Sequence, residues 1–222
     1  MEFGWLEITV AAIVISLILG VIFTRGSSWI EPRFWKNIAI VTSLVMVVFL
    51  LILTFDTLAS IKMGNGRVPE ATVINKKISY VYDEQKRWYV PKVSGEEPLF
   101  GKIWSEEEAL ALINKGKMTI QSKACMDCHT LLGNGGYYAP DLTKAWLDPK
   151  WNLLIKDMVG ANSKEEAMAK WIQHPDQYPT FQRKMPDLGI TDEEAKAIVA
   201  YLKWMSAIDT NGFPDNFKAD EQ

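Results

Sequence analysis

The chain has 222 residues, two cysteines, two histidines and a formal net charge of −3. This length accommodates one ordinary domain and a further segment. The charge argues against the basic surface of a nucleic-acid-binding protein, so no nucleic-acid partner is expected. The cysteine and histidine counts leave too few ligands for a site built from several zinc-binding Cys and His residues.

Two apolar runs near the N-terminus predict a membrane anchor within residues 1–62, formed by helices at about 6–23 and 36–55. Each run is close to the roughly 20 residues that cross the hydrocarbon core of a bilayer. Trp5 and Trp35 lie at the ends of the runs, where amphipathic rings favour the membrane interface. The lipid bilayer is therefore the first predicted partner.

The charges around these runs predict a topology. Glu2 and Glu7 stand where a cleaved signal peptide would carry Lys or Arg, which argues against cleavage. The loop between the runs contains Arg25, Arg33 and Lys36. The positive-inside rule places this loop in the cytoplasm and both termini on the outer side of the membrane.

Residues 63–104 are predicted to form an external connecting segment that contains a β-hairpin. Ile78, Tyr80 and Tyr82 alternate with polar residues, and residues 83–86 have the composition of a turn. Strand composition resumes after the turn, as expected for a second strand. The sequence leaves open whether this segment is a spacer or packs on a partner.

The sequence Cys125-Met126-Asp127-Cys128-His129 is the main chemical signal. Two thiols separated by two residues can add to the two vinyl groups of a haem, which brings the adjacent histidine under the iron. A redox-active cysteine pair would lie near a βαβ pattern, and none is predicted here. Half of a zinc site is the other alternative, but only His174 remains as a further Cys or His ligand.

Three capping boxes predict helices around this motif, because each pairs a hydroxyl and a carboxylate with free backbone N–H groups. They are Ser105 with Glu108, Ser163 with Glu166, and Thr191 with Glu194. Apolar residues at helical spacing follow each one. These residues are Leu110, Ile113 and Met118 in the first helix, Ala167, Met168, Trp171 and Ile172 in the second, and Ala195, Ile198, Val199, Leu202 and Met205 in the third.

The predicted fold class is therefore mainly α. It consists of a two-helix transmembrane hairpin, a small β-hairpin, and a class I cytochrome c domain at residues 105–222. The sixth iron ligand has to be a soft donor or an imidazole. Met185 is favoured, because it lies in an irregular segment that Pro186 would stiffen, and a thioether suits a one-electron carrier. His174 and an open site are the alternatives.

A glycine-rich stretch, Gly133-Asn134-Gly135-Gly136, follows the predicted haem motif. It lacks the strand–loop–helix context of a phosphate-binding loop, so nucleotide binding is not expected. Two interpretations remain open at this point. The stretch is either a flexible turn at the haem edge or a place where the backbone approaches a cofactor or an ion closely.

The runs CMDCHTLLGNGGYYAPDL and RKMPDLGITDEEAKAIVAYLKWMSAIDTNGFP resemble the cytochrome c subunit of bacterial nitric oxide reductase over about residues 116–214. The resemblance implies covalent haem attachment by Cys125 and Cys128 and axial ligation by His129 and Met185. It also implies that the carbonyl of Pro140 accepts a hydrogen bond from the imidazole N–H of that histidine, which fixes the orientation of the ring.

The same resemblance implies a calcium ion at the interface with the catalytic subunit, bound partly by backbone oxygens of Gly135 and Tyr137. The implied partners are a large multi-helix subunit with haems b and non-haem iron, and a soluble cytochrome c or cupredoxin donor. The membrane is then the bacterial cytoplasmic membrane, with the haem domain in the periplasm. This chain is expected to have no catalytic site of its own.

Two other functions remain open. The two N-terminal helices and the segment at residues 64–101 depart from the usual subunit, which has one transmembrane helix. A pair of such helices before an external redox domain instead resembles subunit II of haem–copper terminal oxidases. A tethered electron carrier without a fixed partner is the third possibility.

Overall fold

The computed structural model describes residues 5–23, 31–65, 68–178 and 184–214, which fall into two compact units, Met1–Ala59 and Ser60–Gln222. The helices are α1 (Trp5–Phe23), α2 (Pro32–Ser60), α3 (Glu106–Ser122), α4 (Lys156–Met158), α5 (Lys164–Gln173) and α6 (Asp192–Ser206). The strands are β1 (Lys76–Asp83), β2 (Trp88–Glu96), β3 (Thr130–Leu131) and β4 (Asn134–Gly135). Short 3₁₀ turns lie at Ala71–Asn75, Cys125–Asp127 and Ala145–Leu147, and a π-helical turn lies at Trp151–Ile155.

The first unit contains the predicted anchor. Helix α2 has 29 residues, which corresponds to about 43 Å at 1.5 Å per residue. Within the described residues it is the one helix long and apolar enough to cross a membrane, and the apolar helical stretch Thr9–Gly20 of α1 is shorter. The two-helix transmembrane hairpin therefore stays a prediction. The part of the loop that contains Arg25 lies outside the described residues.

The predicted β-hairpin is confirmed in the second unit. Strands β1 and β2 pair antiparallel, with Val81 opposite Val90 and Asp83 opposite Trp88. The Asp83 side chain organises the turn, because its Oδ1 accepts the backbone N–H groups of Gln85 at 2.9 Å and Lys86 at 3.0 Å. An aspartate that caps its own turn in this way is a common device for reversing a chain.

Helices α3, α5 and α6 form the centre of the second unit. Helices α3 and α6 cross at Gly116, where a Cβ atom would collide with the backbone oxygen of Ala197. A larger residue at this position would force the two helices apart. The close crossing therefore depends on glycine, and it fixes the direction in which α3 delivers the chain into the cysteine motif.

The apolar residues predicted to face the core are the buried ones in two of the three helices. The predicted residues of α6 are buried, as are those of α5, where Trp171 is partly buried. The prediction for α3 is wrong for Leu110 and Met118, which are 39% and 60% exposed. The face of α3 that meets the core is set by the close crossing with α6 at Gly116; its buried residues are Ala109, Ile113, Gly116, Thr119 and Ile120.

Two of the three predicted capping boxes are complete, those of Ser105 and Thr191. At the third, Ser163 accepts the N–H of Glu166, but the Glu166 carboxylate accepts the N–H of Asn162 at 2.9 Å. The reciprocal bond is thus displaced by one residue. All three helices begin where the sequence predicts.

The connecting segment and the predicted haem domain share one hydrophobic core. Ile74 and Leu99 are fully buried in the same cluster as the residues of α6. Lys203 is buried too, and its Nζ lies 2.6 Å from Glu97 Oε2. Burial lowers the pKa of Lys203, and the ion pair with Glu97 opposes this shift. The boundary at residues 104 and 105 stays a prediction, but residues on both sides of it contribute to the core.

Candidate haem site

The cysteine motif forms a tight turn at the end of α3. Ala124 has a φ of +53°, which ends the helix and reverses the chain. The backbone N–H of His129 then donates to the carbonyl of Cys125 at 3.0 Å. Cys125 is buried, Cys128 is partly buried, and neither is in a disulfide. Both thiols and the imidazole therefore belong to one turn of five residues.

The thiol chemistry of this turn favours haem attachment over a redox-active pair. Burial raises the pKa of the Cys125 thiol. Redox-active pairs work through a thiolate and depend on a lowered thiol pKa. Two free thiols spaced by two residues, next to an imidazole, form the donor set that a covalently bound haem requires. The residues of the turn therefore fit this cofactor.

The imidazole of His129 is held by a backbone carbonyl. Its Nδ1 lies 2.7 Å from the oxygen of Pro140. A carbonyl oxygen can only accept a hydrogen bond, so Nδ1 is the donor, and Nε2 is the ring nitrogen that remains to bind a metal. The contact expected from the family resemblance is thus present. Ligation of iron by His129 stays a prediction.

The segment that contains Pro140 runs back along the motif. The N–H of Ala139 donates to the carbonyl of Cys128 at 2.9 Å, and the N–H of Leu142 donates to the carbonyl of Thr130 at 2.8 Å. These two bonds lie on either side of the imidazole contact. We call residues 128–143 the proximal segment. Within this segment, backbone hydrogen bonds are made by the residue before His129 and by the residue after it.

The glycine-rich stretch lies against the motif turn. A Cβ on Gly135 would collide with the carbonyl oxygen of His129, and one on Gly136 would collide with that of Asp127. The N–H of Gly136 donates to the carbonyl of Met126 at 2.8 Å. The close backbone approach suggested by the glycines is therefore present, and it is made to the protein's own motif. A calcium site at Gly135 and at Tyr137, whose side chain is highly exposed, stays a prediction.

Met185 is partly buried in the irregular segment 184–190 that precedes α6, which we call the distal segment. Lys123, at the end of α3, reaches this segment: its Nζ donates to the carbonyls of Leu188 at 3.2 Å and Gly189 at 3.0 Å. The distal segment is thereby tied to the helix that leads into the cysteine motif. Ligation by Met185 stays a prediction.

The alternative ligand, His174, follows α5 and is exposed. Its imidazole and the carboxylates of Asp176 and Asp187 have potential ligand atoms within 4.8 Å of one another. All three side chains are exposed.

Sequence reasoning missed three polar residues of the proximal segment. Thr130 and Thr143 are buried. The hydroxyl of Thr130 and the backbone N–H of Thr143 both donate to the carboxylate of Asp141. The spacing Asp141-Leu142-Thr143 is a local signal that could have identified this group, because aspartate often bonds the backbone N–H two residues further on. The partnership with Thr130 has no signal of this kind, since it joins residues 11 positions apart.

The fold and this site together define a c-type cytochrome. A sequence model of the cytochrome c family matches residues 113–206. The C subunit of nitric oxide reductase from Paracoccus denitrificans is 32% identical over 115 residues, which cover 52% of this chain and 73% of that protein. The corresponding protein of Stutzerimonas stutzeri is 28% identical over 120 residues, which cover 54% of this chain and 76% of that protein.

The chain belongs to the family of the nitric oxide reductase C subunit. The resemblance inferred from the sequence is thereby confirmed. As a cytochrome c of this family, the protein carries covalent haem c, is anchored in a membrane and serves electron transfer.

Proposed function

We propose that this protein is the electron-accepting subunit of a nitric oxide reductase. It receives electrons one at a time from a soluble cytochrome c or cupredoxin. It passes them to a large multi-helix catalytic subunit that carries haems b and non-haem iron. The observation that carries this proposal is the His129–Pro140 contact beside two free thiols, in a chain of this reductase family.

Each predicted site residue has one role in this proposal. Cys125 and Cys128 would hold the haem through thioether bonds, and His129 and Met185 would bind its iron. When bound, the haem supplies a one-electron ferric–ferrous couple. The thioether of Met185 favours the ferrous form and so raises the midpoint potential. The carbonyl of Pro140 would keep the imidazole of His129 oriented toward the iron.

Chemistry on nitric oxide belongs to the catalytic subunit. There, two NO, two electrons and two protons give one N₂O and one water. This chain contributes no catalytic group and supplies only the electrons. Backbone oxygens of Gly135 and Tyr137 contribute to a calcium ion at the subunit interface, because carbonyl oxygens suit a hard cation.

The N-terminal region anchors this domain to the bacterial cytoplasmic membrane. Residues 6–23 and 36–55 cross it as a pair, with Arg33 and Lys36, at the start of α2, on the cytoplasmic side. The haem domain then lies in the periplasm, where soluble donors can reach it. Helix α2 supports the second of these crossings by its length and composition.

Mild detergent extraction of the native protein tests the proposal. We expect a large subunit to co-purify, with haem b and non-haem iron, and the complex to produce N₂O from NO. Copper and oxygen consumption without NO turnover would instead indicate a terminal oxidase. A haem c protein that is recovered alone after gentle extraction would indicate a tethered carrier.

A further inference from the structure

In the proximal segment, the stretch that follows His129 and the stretch that contains Pro140 are joined by side-chain hydrogen bonds as well as by backbone bonds. The Asp141 carboxylate uses both of its oxygens: Oδ2 accepts the hydroxyl of Thr130 at 2.7 Å, and Oδ1 accepts the backbone N–H of Thr143 at 2.8 Å. The hydroxyl oxygen of Thr143 accepts the backbone N–H of Leu132 at 2.7 Å. We call these three residues, Thr130, Asp141 and Thr143, the brace.

Two of the three residues of the brace are buried, and Asp141 is partly buried. Thr130 is 4% exposed and Thr143 is fully buried. Hydrogen bonds to an ionised carboxylate are shorter and stronger than neutral ones, and a low local dielectric strengthens them further. Removal of one partner would leave buried polar atoms without a bond. The brace therefore connects the stretch after His129 rigidly to the stretch that contains Pro140.

The brace acts directly on the carbonyl that faces the imidazole. The oxygen of Pro140 belongs to the peptide group that joins Pro140 to Asp141, and this group is planar. The proline ring fixes φ on one side of the carbonyl. The brace fixes Asp141 on the other side. The direction of the C=O bond toward His129 Nδ1 is thus determined from both ends.

We propose that Asp141 is a positioning residue that sets the strength of the axial histidine as a ligand. The inference rests on the proposed function, in which His129 binds the haem iron. A hydrogen bond from Nδ1–H to a carbonyl makes the imidazole more basic, and a more basic ligand stabilises ferric iron. The brace keeps this hydrogen bond short. The midpoint potential is therefore lower than it would be without the brace.

The test uses the full-length, detergent-solubilised holoprotein and two measurements. The first is the midpoint potential from a redox titration. The second is the hydrogen-exchange rate of the His129 Nδ1 proton, measured by NMR on protein with labelled histidine. We expect Asp141→Asn and Thr130→Val to raise the potential and speed the exchange. Thr130→Val changes no charge, so its shift reports the loss of positioning alone.

Two matched variants serve as controls. Thr130→Ser keeps the hydroxyl and should retain the original potential and exchange rate. Thr119 is equally buried, at 5% exposure, but its hydroxyl bonds to the carbonyl of Lys115 within α3. Thr119→Val therefore makes the same chemical change outside the brace and should move neither measurement.

The outcomes separate the brace from the proposed function. Covalent haem with an unchanged potential and exchange rate in Thr130→Val would overturn the role of the brace. If Asp141→Asn does not accumulate, the Thr130→Val and Thr130→Ser pair decides the question by itself. Absence of covalent haem from the unaltered protein would overturn the assignment of the site residues instead.

Discussion

The proximal and distal segments of the haem site are held in different ways. The proximal segment is bonded to itself through its backbone, the brace and the contact between His129 and Pro140. Of the described residues, Lys123 links the distal segment to α3, and the Asp187 carboxylate accepts the N–H of Gly189 at 2.8 Å. The chain thus orients the imidazole before any iron is bound. In the proposed function, the position of the Met185 sulfur depends more on the iron that it would bind.

The largest effect is expected from a change that disrupts the proximal segment. Gly135 has a φ of +127°, and a Cβ there would collide with the backbone of His129. We expect Gly135→Ala to destabilise the protein by more than about 4 kcal/mol, because a fixed backbone would have to move. Haem staining on a denaturing gel, normalised to protein, should show almost no covalent haem.

Gly160 provides the control for this variant. It also has a positive φ, +61°, but nothing lies within 4 Å of a Cβ placed there. Gly160→Ala should therefore destabilise the protein by only about 1–2 kcal/mol, which is the cost of an alanine in the left-handed backbone conformation. This variant should retain its covalent haem. Equal staining in the two variants would contradict the close approach at Gly135.

An intermediate effect is expected directly after the proximal segment, where buried Lys144 donates to the carbonyl of Ile208 at 2.6 Å. Burial lowers the pKa of Lys144 to about 8, and Asp209 and Asp141 oppose this shift. Between pH 8 and 10.5 the unfolded chain therefore binds more protons than the folded one. Stability should rise over this range by about 3 kcal/mol and be lowest below about pH 8.

Thermal unfolding measured from about pH 7 to about pH 10 checks this prediction. Lys144→Met should remove most of the rise, because it removes the group that loses its proton; the remainder belongs to Lys203, whose pKa is also lowered by burial. Lys196, an exposed lysine paired with Asp192, offers a control, and Lys196→Met should retain the rise. A rise that persists in Lys144→Met would assign it to another group.

The smallest effect on stability is expected on the distal side. Met185→His should keep covalent haem, since the cysteine motif is unchanged, and it should lower the midpoint potential because imidazole replaces a thioether. The near-infrared charge-transfer band of the ferric protein should leave the position typical of Met–His ligation. His174→Gln should leave this band in place. An unchanged spectrum in Met185→His would exclude Met185 as a ligand.

The features that the sequence predicts correctly are local. The cysteine motif, the capping boxes of Ser105 and Thr191, and the turn at Asp83 each depend on residues within a few positions. The buried face of α3 could not be derived in this way, because it depends on how closely Gly116 meets α6. The contact between Thr130 and Asp141 and the burial of Lys144 likewise depend on partners more distant in sequence, which no local pattern identifies.

The shared core has a consequence for the order in which the protein folds. The indole N–H of Trp204 donates to the carbonyl of Pro69, 135 residues away, and Lys203 meets Glu97, 106 residues away. The imidazole contact spans only 11 residues. Closing long loops costs more entropy and takes longer than closing short ones. The turn that would receive the haem can therefore form before α6 docks.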